Sequence, residues 1–159
     1  MIIFKNQCKA ETIRMLRNPY YIFWSLLMPI IFYIMYTKVF NTGMENQNKW
    51  NAHFLMSMAT FSVMGSSIMT MGIRLVQERS QGWTNYIHVT PLSGLTYFSA
   101  KMIGQSLAHF FSIIVIYAAG MLINDVSLSV SEWLLSAGWI LLASMPFLAL
   151  GTLIGLMNK

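Results

Sequence analysis

The chain has 159 residues, of which 56% are hydrophobic and only 9% are charged, and its formal net charge is +5. Soluble domains average roughly 25% charged residues, so this composition excludes an ordinary soluble domain and indicates a membrane protein. The single cysteine, Cys8, excludes an internal disulfide framework and indicates nothing about function.

Four stretches are long and apolar enough to cross a membrane as helices. A helix needs about 20 mainly apolar residues to span the roughly 30 Å hydrocarbon layer, where backbone polar groups must bond within the segment. The fold class predicted is therefore all-α, a polytopic membrane helical bundle in which residues 1–159 form one domain. The predicted parts are an N-terminal interfacial segment at residues 1–19 and transmembrane helices at residues 20–40, 52–76, 102–123 and 133–157.

The first span has a clear predicted start. Asn18 can cap the helix, and Pro19 would occupy its first position, where the missing N–H costs nothing. A signal peptide is excluded because the run is too long, lacks a small-residue cleavage site and is followed by three more spans. Pro29 and Pro146 predict kinks in the first and fourth spans.

Basic residues predict the orientation, because positively charged flanks stay on the cytoplasmic side. The opposite side carries only Lys38 and Lys49. Both termini and residues 77–101 are therefore predicted to be cytoplasmic, and the net charge is explained by topology and anionic lipid rather than by nucleic acid. The basic residues on the cytoplasmic side are Lys5, Lys9, Arg14, Arg17, Arg74, Arg79, Lys101 and Lys159.

Polar residues recur every four positions along the second span, at Ser62, Ser66, Thr70 and Arg74. We call these four residues the polar row. One interpretation is helix packing, because small and hydroxyl side chains bond across interfaces. The other is the wall of a translocation path, because polar groups within a span face the bundle interior or a wet cavity. Arg74 could also pair with Glu78 at four-residue spacing.

The fourth span contains the sequence "GTLIG", with Gly151 and Gly155 four residues apart. Small residues at this spacing let two helix backbones approach closely. The pattern predicts helix packing, either within the chain or between subunits.

Ser67 and His109 lie at similar depths on the second and third spans. In an intramembrane serine hydrolase, His109 would take the proton of the Ser67 hydroxyl. No acid lies at that depth to orient the histidine. The competing interpretation is a histidine that bonds to a neighbouring helix.

Sequence motifs of other catalytic sites are absent. The chain has no HExxH motif, no pair of carboxylates within a span and no metal-like cluster of His, Cys and acid. It also lacks the GxxxxGK[ST] loop that holds nucleotide phosphates. We therefore expect no catalytic residue, metal or cofactor in this chain, and any energy source must be a partner.

The connection between the second and third spans reads "QERSQGWTNYIHVTPLSGLTYFSAK", residues 77–101. Gly82 can end the preceding helix, and Pro91 would stop a short helical turn after it. Trp83 would then lie at the lipid headgroup level, as interfacial aromatic residues do. Thr90 or Ser93 could cap the next helix. A loop that only rests on lipid remains an alternative.

This order of residues resembles the cytoplasmic connection of type-2 ATP-binding-cassette (ABC) exporter permeases. The opening "ETIRMLRNPYYIFWSLLMPIIFYIMY" is similar to the family's basic entry segment and Pro-containing first span, so the resemblance covers the whole chain. The residues of the connection that carry the resemblance are Glu78, Arg79, Gly82, Pro91, Leu92, Ser93, Tyr97 and Lys101.

The resemblance implies a permease subunit of an exporter in the bacterial cell membrane. Such a subunit contacts lipid, forms homodimers or heterodimers and contributes to the translocation path. A separate cytoplasmic ABC ATPase uses the ATP and engages the connection, so this chain itself is not an enzyme. The residues expected to couple to that ATPase are Glu78, Arg79, Gly82, Trp83 and Pro91.

The chain departs from the family in one respect. Permeases of this type usually have six spans, whereas the apolar runs here number four, so a truncated permease is expected. A non-transporting immunity or accessory protein in the membrane is the alternative function.

Overall fold

The computed structural model describes residues 2–40, 46–82 and 93–157, and this part of the chain contains helices and no strands. Trp83 and Pro91 lie outside the described residues. The helices are α1 (Ile2–Leu16), α2 (Pro19–Phe40), α3 (Gln47–Ser80), α4 (Gly94–Asn124) and α5 (Val130–Met157).

Helices α2 to α5 are each long and apolar enough to cross a membrane. This finding confirms the predicted all-α bundle with four candidate membrane-spanning helices. Two helices extend well beyond the predicted apolar runs: α3 covers Gln47–Ser80 and α4 begins at Gly94. The reason is that hydropathy locates the hydrocarbon crossing, whereas helical hydrogen bonding continues into the polar flanks.

The predicted helix caps and the predicted stop at Gly82 are confirmed. The Asn18 side chain accepts a hydrogen bond from the Tyr20 amide at 3.0 Å, and Pro19 follows as the first residue of α2. Ser93 caps α4 by accepting from the Thr96 amide at 3.3 Å. Gly82 follows α3 with a φ of +73°, a left-handed conformation that favours glycine.

Helix α2 is not uniformly α-helical. Its Met28–Ile34 segment lies between two π-helical segments, Phe23–Leu27 and Met35–Phe40. Pro29 has no N–H to donate to the Ser25 carbonyl one turn earlier. The Ser62 hydroxyl of α3 donates to that carbonyl instead. A polar side chain of α3 thus bonds a carbonyl of α2 that lacks its α-helical donor. Such pairing is required in a membrane interior, where no water can supply the bond.

The apolar core lies between α2, α3, α4 and α5. Helix α1 packs in a second, smaller cluster, in which Met15 contacts Tyr21 of α2 and Ala108 of α4. A Cβ atom at Gly104 of α4 would lie 2.8 Å from the Glu11 Cβ atom, so α1 lies very close to α4 there. The buried core residues are Leu26, Tyr33, Leu55, Ala59, Val63, Ile113, Ile116, Tyr117 and Ile140.

Helices α3 and α5 pack through the two glycines of "GTLIG". A Cβ atom at Gly151 would lie 2.6 Å from the Ser67 carbonyl oxygen, and one at Gly155 would lie 2.8 Å from the Leu75 Cβ atom. Both glycines are buried. Within this chain, therefore, the close approach is intramolecular.

Alanine at Gly151 should weaken the α3–α5 contact. The new methyl group meets backbone, which cannot rotate away, so we expect a loss of roughly 1–3 kcal/mol of unfolding free energy. The measurement is equilibrium unfolding in detergent micelles. Gly138→Ala on the same helix is the matched control, since nothing lies within 4 Å of a Cβ atom there. Equal stability of the two variants would contradict the packing assignment.

Candidate functional site

Charged side chains from α1, α3 and α4 meet in one group, which we call the ion cluster. Its members are Glu11 and Arg14 of α1, Arg74 and Glu78 of α3, and Lys101 of α4. The Lys101 ammonium lies 2.6 Å from Glu78 Oε1 and 3.2 Å from Glu11 Oε1. Arg74 pairs with Glu11, and Arg14 Nη1 lies 3.3 Å from Glu78 Oε1.

Lys101 is the most enclosed charge of the ion cluster, with 1% of its side chain exposed. A buried ammonium loses its hydration and is tolerated only with paired, hydrogen-bonded partners. Two carboxylates supply that pairing. The Tyr97 ring lies 4.9 Å beneath the ammonium, and its hydroxyl donates to Glu78.

Glu11 is held in its charged form. Burial raises the pKa of this carboxyl, but the charges and hydrogen bonds of Lys101 and Arg74 outweigh burial, and the net pKa is lowered. Glu11 therefore acts as a fixed anion between α3 and α4, each of which contributes a cation to it.

The predicted pairing of Arg74 with Glu78 is wrong. Arg74 pairs with Glu11 of α1, and Glu78 pairs with Lys101 and Arg14. Glu78 is also only 8% exposed, and its carboxylate is paired within the chain. Sequence reasoning missed Glu11 entirely. The sequence feature that could have identified Glu11 is that it is the sole acid among the basic residues of α1. It also lies four positions before Met15, which is buried.

Two other residues expected to couple, Arg79 and Gly82, lie near the same end of the bundle. Arg79 Nη1 donates to the Leu156 carbonyl at 2.8 Å and so bonds one of the last carbonyls of α5. Gly82 follows α3 directly. What the connection binds is not tested by these contacts, and ATPase coupling stays a prediction.

A cavity of about 640 Å³ lies between α2 and α3, and the whole polar row lines it. We call it the lateral cavity. Ser62 and Ser66 are buried, whereas Thr70 and Arg74 are half-buried. The facing wall comes from α2 and is largely aromatic, with Tyr20, Tyr21, Trp24 and Phe32.

A second cavity of about 400 Å³ lies at the ion cluster, and we call it the polar cavity. It shares Asn18, Arg74 and Gln77 with the lateral cavity, so the two meet at these residues. Its other lining residues include Arg14 and Glu78. An aromatic slot thus leads into a charged recess.

His109 is fully buried and links α4 to α3. Its Nε2 atom lies 3.1 Å from Ser66 Oγ, 3.5 Å from Ser67 Oγ and 2.9 Å from Gln105 Nε2. The Ser67 hydroxyl donates to the Val63 carbonyl at 2.6 Å. Within residues 2–40, 46–82 and 93–157, the His109 Nδ1 atom has no hydrogen-bond partner, so no acid orients the ring. This geometry fits an interhelical bond rather than a hydrolase.

Groups of three or more His, Cys, Asp or Glu side chains that could hold a metal ion do not occur in the part of the chain that the structure describes. The charged residues that do meet pair with one another, in ion pairs of 4 Å or less. The arrangement offers ionic and hydrogen-bonding contacts.

The sequence matches the ABC-2 type transporter family over residues 4–159. The chain belongs to this family. It is 58% identical over 159 residues to a protein of Bacillus subtilis (strain 168) named "Putative transport permease YvfS". The match covers all of this chain and 65% of that protein. No solved structure matches the chain significantly.

Membership confirms the resemblance inferred from the connection and from the first span. It places the lateral cavity and the ion cluster in an ABC-2 type transporter domain. The chain spans just under two thirds of the relative's length.

Proposed function

We propose that this chain is the permease part of an ATP-driven exporter and that the lateral cavity forms part of its translocation path. The observation that carries the proposal is that all four residues of the polar row line one cavity in a member of the ABC-2 family. Hydroxyl groups within a span are costly against lipid and are usually directed toward a bundle interior or a cavity.

The proposal includes a separate cytoplasmic ATPase that engages residues 77–101. The ion cluster supports this part, because its members lie on both sides of the connection. Glu78 is near the end of α3, and Lys101 is near the start of α4. A displacement of the connection would therefore reach α3, α4 and α1 together. In this role Glu78 is a positioning residue and does not touch the ATPase.

The proposed orientation places both termini and the connection in the cytoplasm. The ion cluster supports it, since α1, the end of α3 and the start of α4 lie on one side and carry most basic residues. We also propose that the chain dimerises with itself or a related permease and that surrounding lipid covers the exposed apolar side chains.

The orientation predicts which end of α3 is reachable from outside the cell. This helix has 34 residues, or about 51 Å, more than the 40–45 Å of a whole bilayer. Cysteine at Asn46, an exposed position before α3, should react with an impermeant thiol reagent added to whole cells. Cysteine at Ser80, the exposed last residue, should be protected. The reverse labelling pattern would overturn the orientation.

The ATPase partner is tested by purifying the tagged protein from its own host and measuring the ATP hydrolysis activity that co-purifies with it. Trp83→Ala should reduce co-purified ATPase activity while membrane insertion is unchanged, because the proposed contact is lost. Trp139→Ala is the matched control, since Trp139 is exposed on α5 away from the connection.

Equal recovery of ATPase activity with both variants would contradict the assignment of Trp83 to the proposed contact. Failure to recover any ATPase with the unmodified protein would favour the other function considered, a non-transporting immunity or accessory protein. Membrane insertion is checked in parallel by fractionation, so a loss of ATPase caused by poor folding is recognised.

A further inference from the structure

We propose that the lateral cavity binds an anionic amphiphile, with its apolar chain along α2 and α3 and its negatively charged head at the polar cavity. The inference deepens the proposed function and rests on it for one point, that the bound amphiphile is the exporter's substrate. Binding itself can be measured without an ATPase.

The length of the lateral cavity fits a chain-shaped molecule. Along α3 the lining runs from Phe61 to Gln77, which corresponds to about 24 Å at 1.5 Å per residue. That is most of the roughly 30 Å hydrocarbon thickness. A slot of this length parallel to the membrane normal suits an acyl or polyprenyl type of chain better than a compact solute.

The rim of the lateral cavity is apolar and exposed. Trp24, Phe61 and Met69 line the cavity, and 61%, 62% and 66% of their respective areas remain uncovered by this chain. In a bilayer such side chains face lipid. The ligand would thus enter sideways from the membrane, and the wall it meets would be aromatic on the α2 side.

The other end of the slot favours a negative charge. The ion cluster contains three cations and two carboxylates, so with both carboxylates ionised it carries one net positive charge. The charged residues that line the polar cavity are Arg14, Arg74 and Glu78, two cations and one carboxylate. The N-terminus of α2 starts beside the cavity at Asn18 and Pro19. The partial positive charge of a helix N-terminus adds to this potential.

Uncharged hydrogen-bonding groups complete the head-group recess. Gln77 and Gln81 line the polar cavity and are exposed, so their amides can bond phosphate or carboxylate oxygens. Gln77 also lines the lateral cavity. It therefore stands where the chain of an amphiphile would meet its head, and it can be changed without breaking an ion pair of the cluster.

Trp24 provides a fluorescent probe within the lateral cavity. A variant that keeps Trp24 and replaces Trp50, Trp83, Trp133 and Trp139 with Phe is reconstituted with lipids that carry bromine on the acyl chain, which quenches tryptophan. Brominated phosphatidylglycerol, which is anionic, should quench Trp24 at a lower mole fraction than brominated phosphatidylcholine. A variant that keeps only Trp139, exposed on α5, reports ordinary boundary lipid and should show no preference.

The charge requirement is tested by Gln77→Glu. One added negative charge within a few ångströms of the head should weaken the apparent affinity for the anionic lipid by roughly fivefold to tenfold. Gln47→Glu makes the same change at the other end of α3, outside both cavities, and should leave the affinity unchanged. Native mass spectrometry of the protein with all its tryptophans repeats the comparison of the two lipids. Misfolding of the variant with four tryptophans replaced therefore cannot determine the result.

Equal quenching of Trp24 by the two lipids would overturn the proposal and leave only unselective boundary lipid in the slot. Absence of quenching would also overturn it, since it would mean that protein, such as a second copy of the chain, covers the cavity. If Trp24 is quenched preferentially by the anionic lipid but no ATPase co-purifies with the protein, the exporter assignment is contradicted and the binding site is still supported.

Discussion

The enclosed ammonium group of Lys101 is the constraint on which the arrangement of the helices depends. A cation with 1% of its side chain exposed has to be neutralised within the protein. Its two carboxylate partners come from different helices, Glu11 from α1 and Glu78 from α3. Neutralising one charge on α4 therefore fixes the N-terminal helix against the ends of two spans, beside the connection that joins them.

Hydrogen bonds between helices also form in the bundle interior, where lipid offers none. Pro29 leaves the Ser25 carbonyl without its usual donor, and Ser62 provides one. Ser66 lies within hydrogen-bond distance of His109, 3.1 Å away. Both serines also line the lateral cavity. The two interpretations of the polar row, packing and cavity wall, are therefore compatible, since one row contributes to both.

Sequence reasoning predicted the features that depend on local pattern. Hydropathy identified the four spans, residue type identified the caps at Asn18 and Ser93, and the glycine spacing identified a close helix contact. The order of residues in the connection, which resembles that of ABC-2 permeases, identified a transporter domain, and the family match confirms it. Each of these signals is contained within a few residues of the chain.

The ion cluster could not be predicted in the same way. Glu11 and Arg74 are 63 positions apart, and Lys101 and Glu11 are 90 apart, so nothing local pairs them. Four-residue spacing favoured Arg74 with Glu78 because a helix brings such positions together. The tertiary contact prevailed because packing of α1 against α4 at Gly104 brings Glu11 within ion-pair distance of both Arg74 and Lys101.

A double-mutant cycle on Glu78→Gln and Lys101→Met tests most directly whether this buried pair holds the helices together. Unfolding free energies of the two single variants and the double variant would be measured in mixed detergent micelles. Because each single change leaves a buried charge short of its partner, the double variant should be less destabilised than the sum of the singles, by about 2 kcal/mol. Additivity within roughly 0.5 kcal/mol would contradict the account.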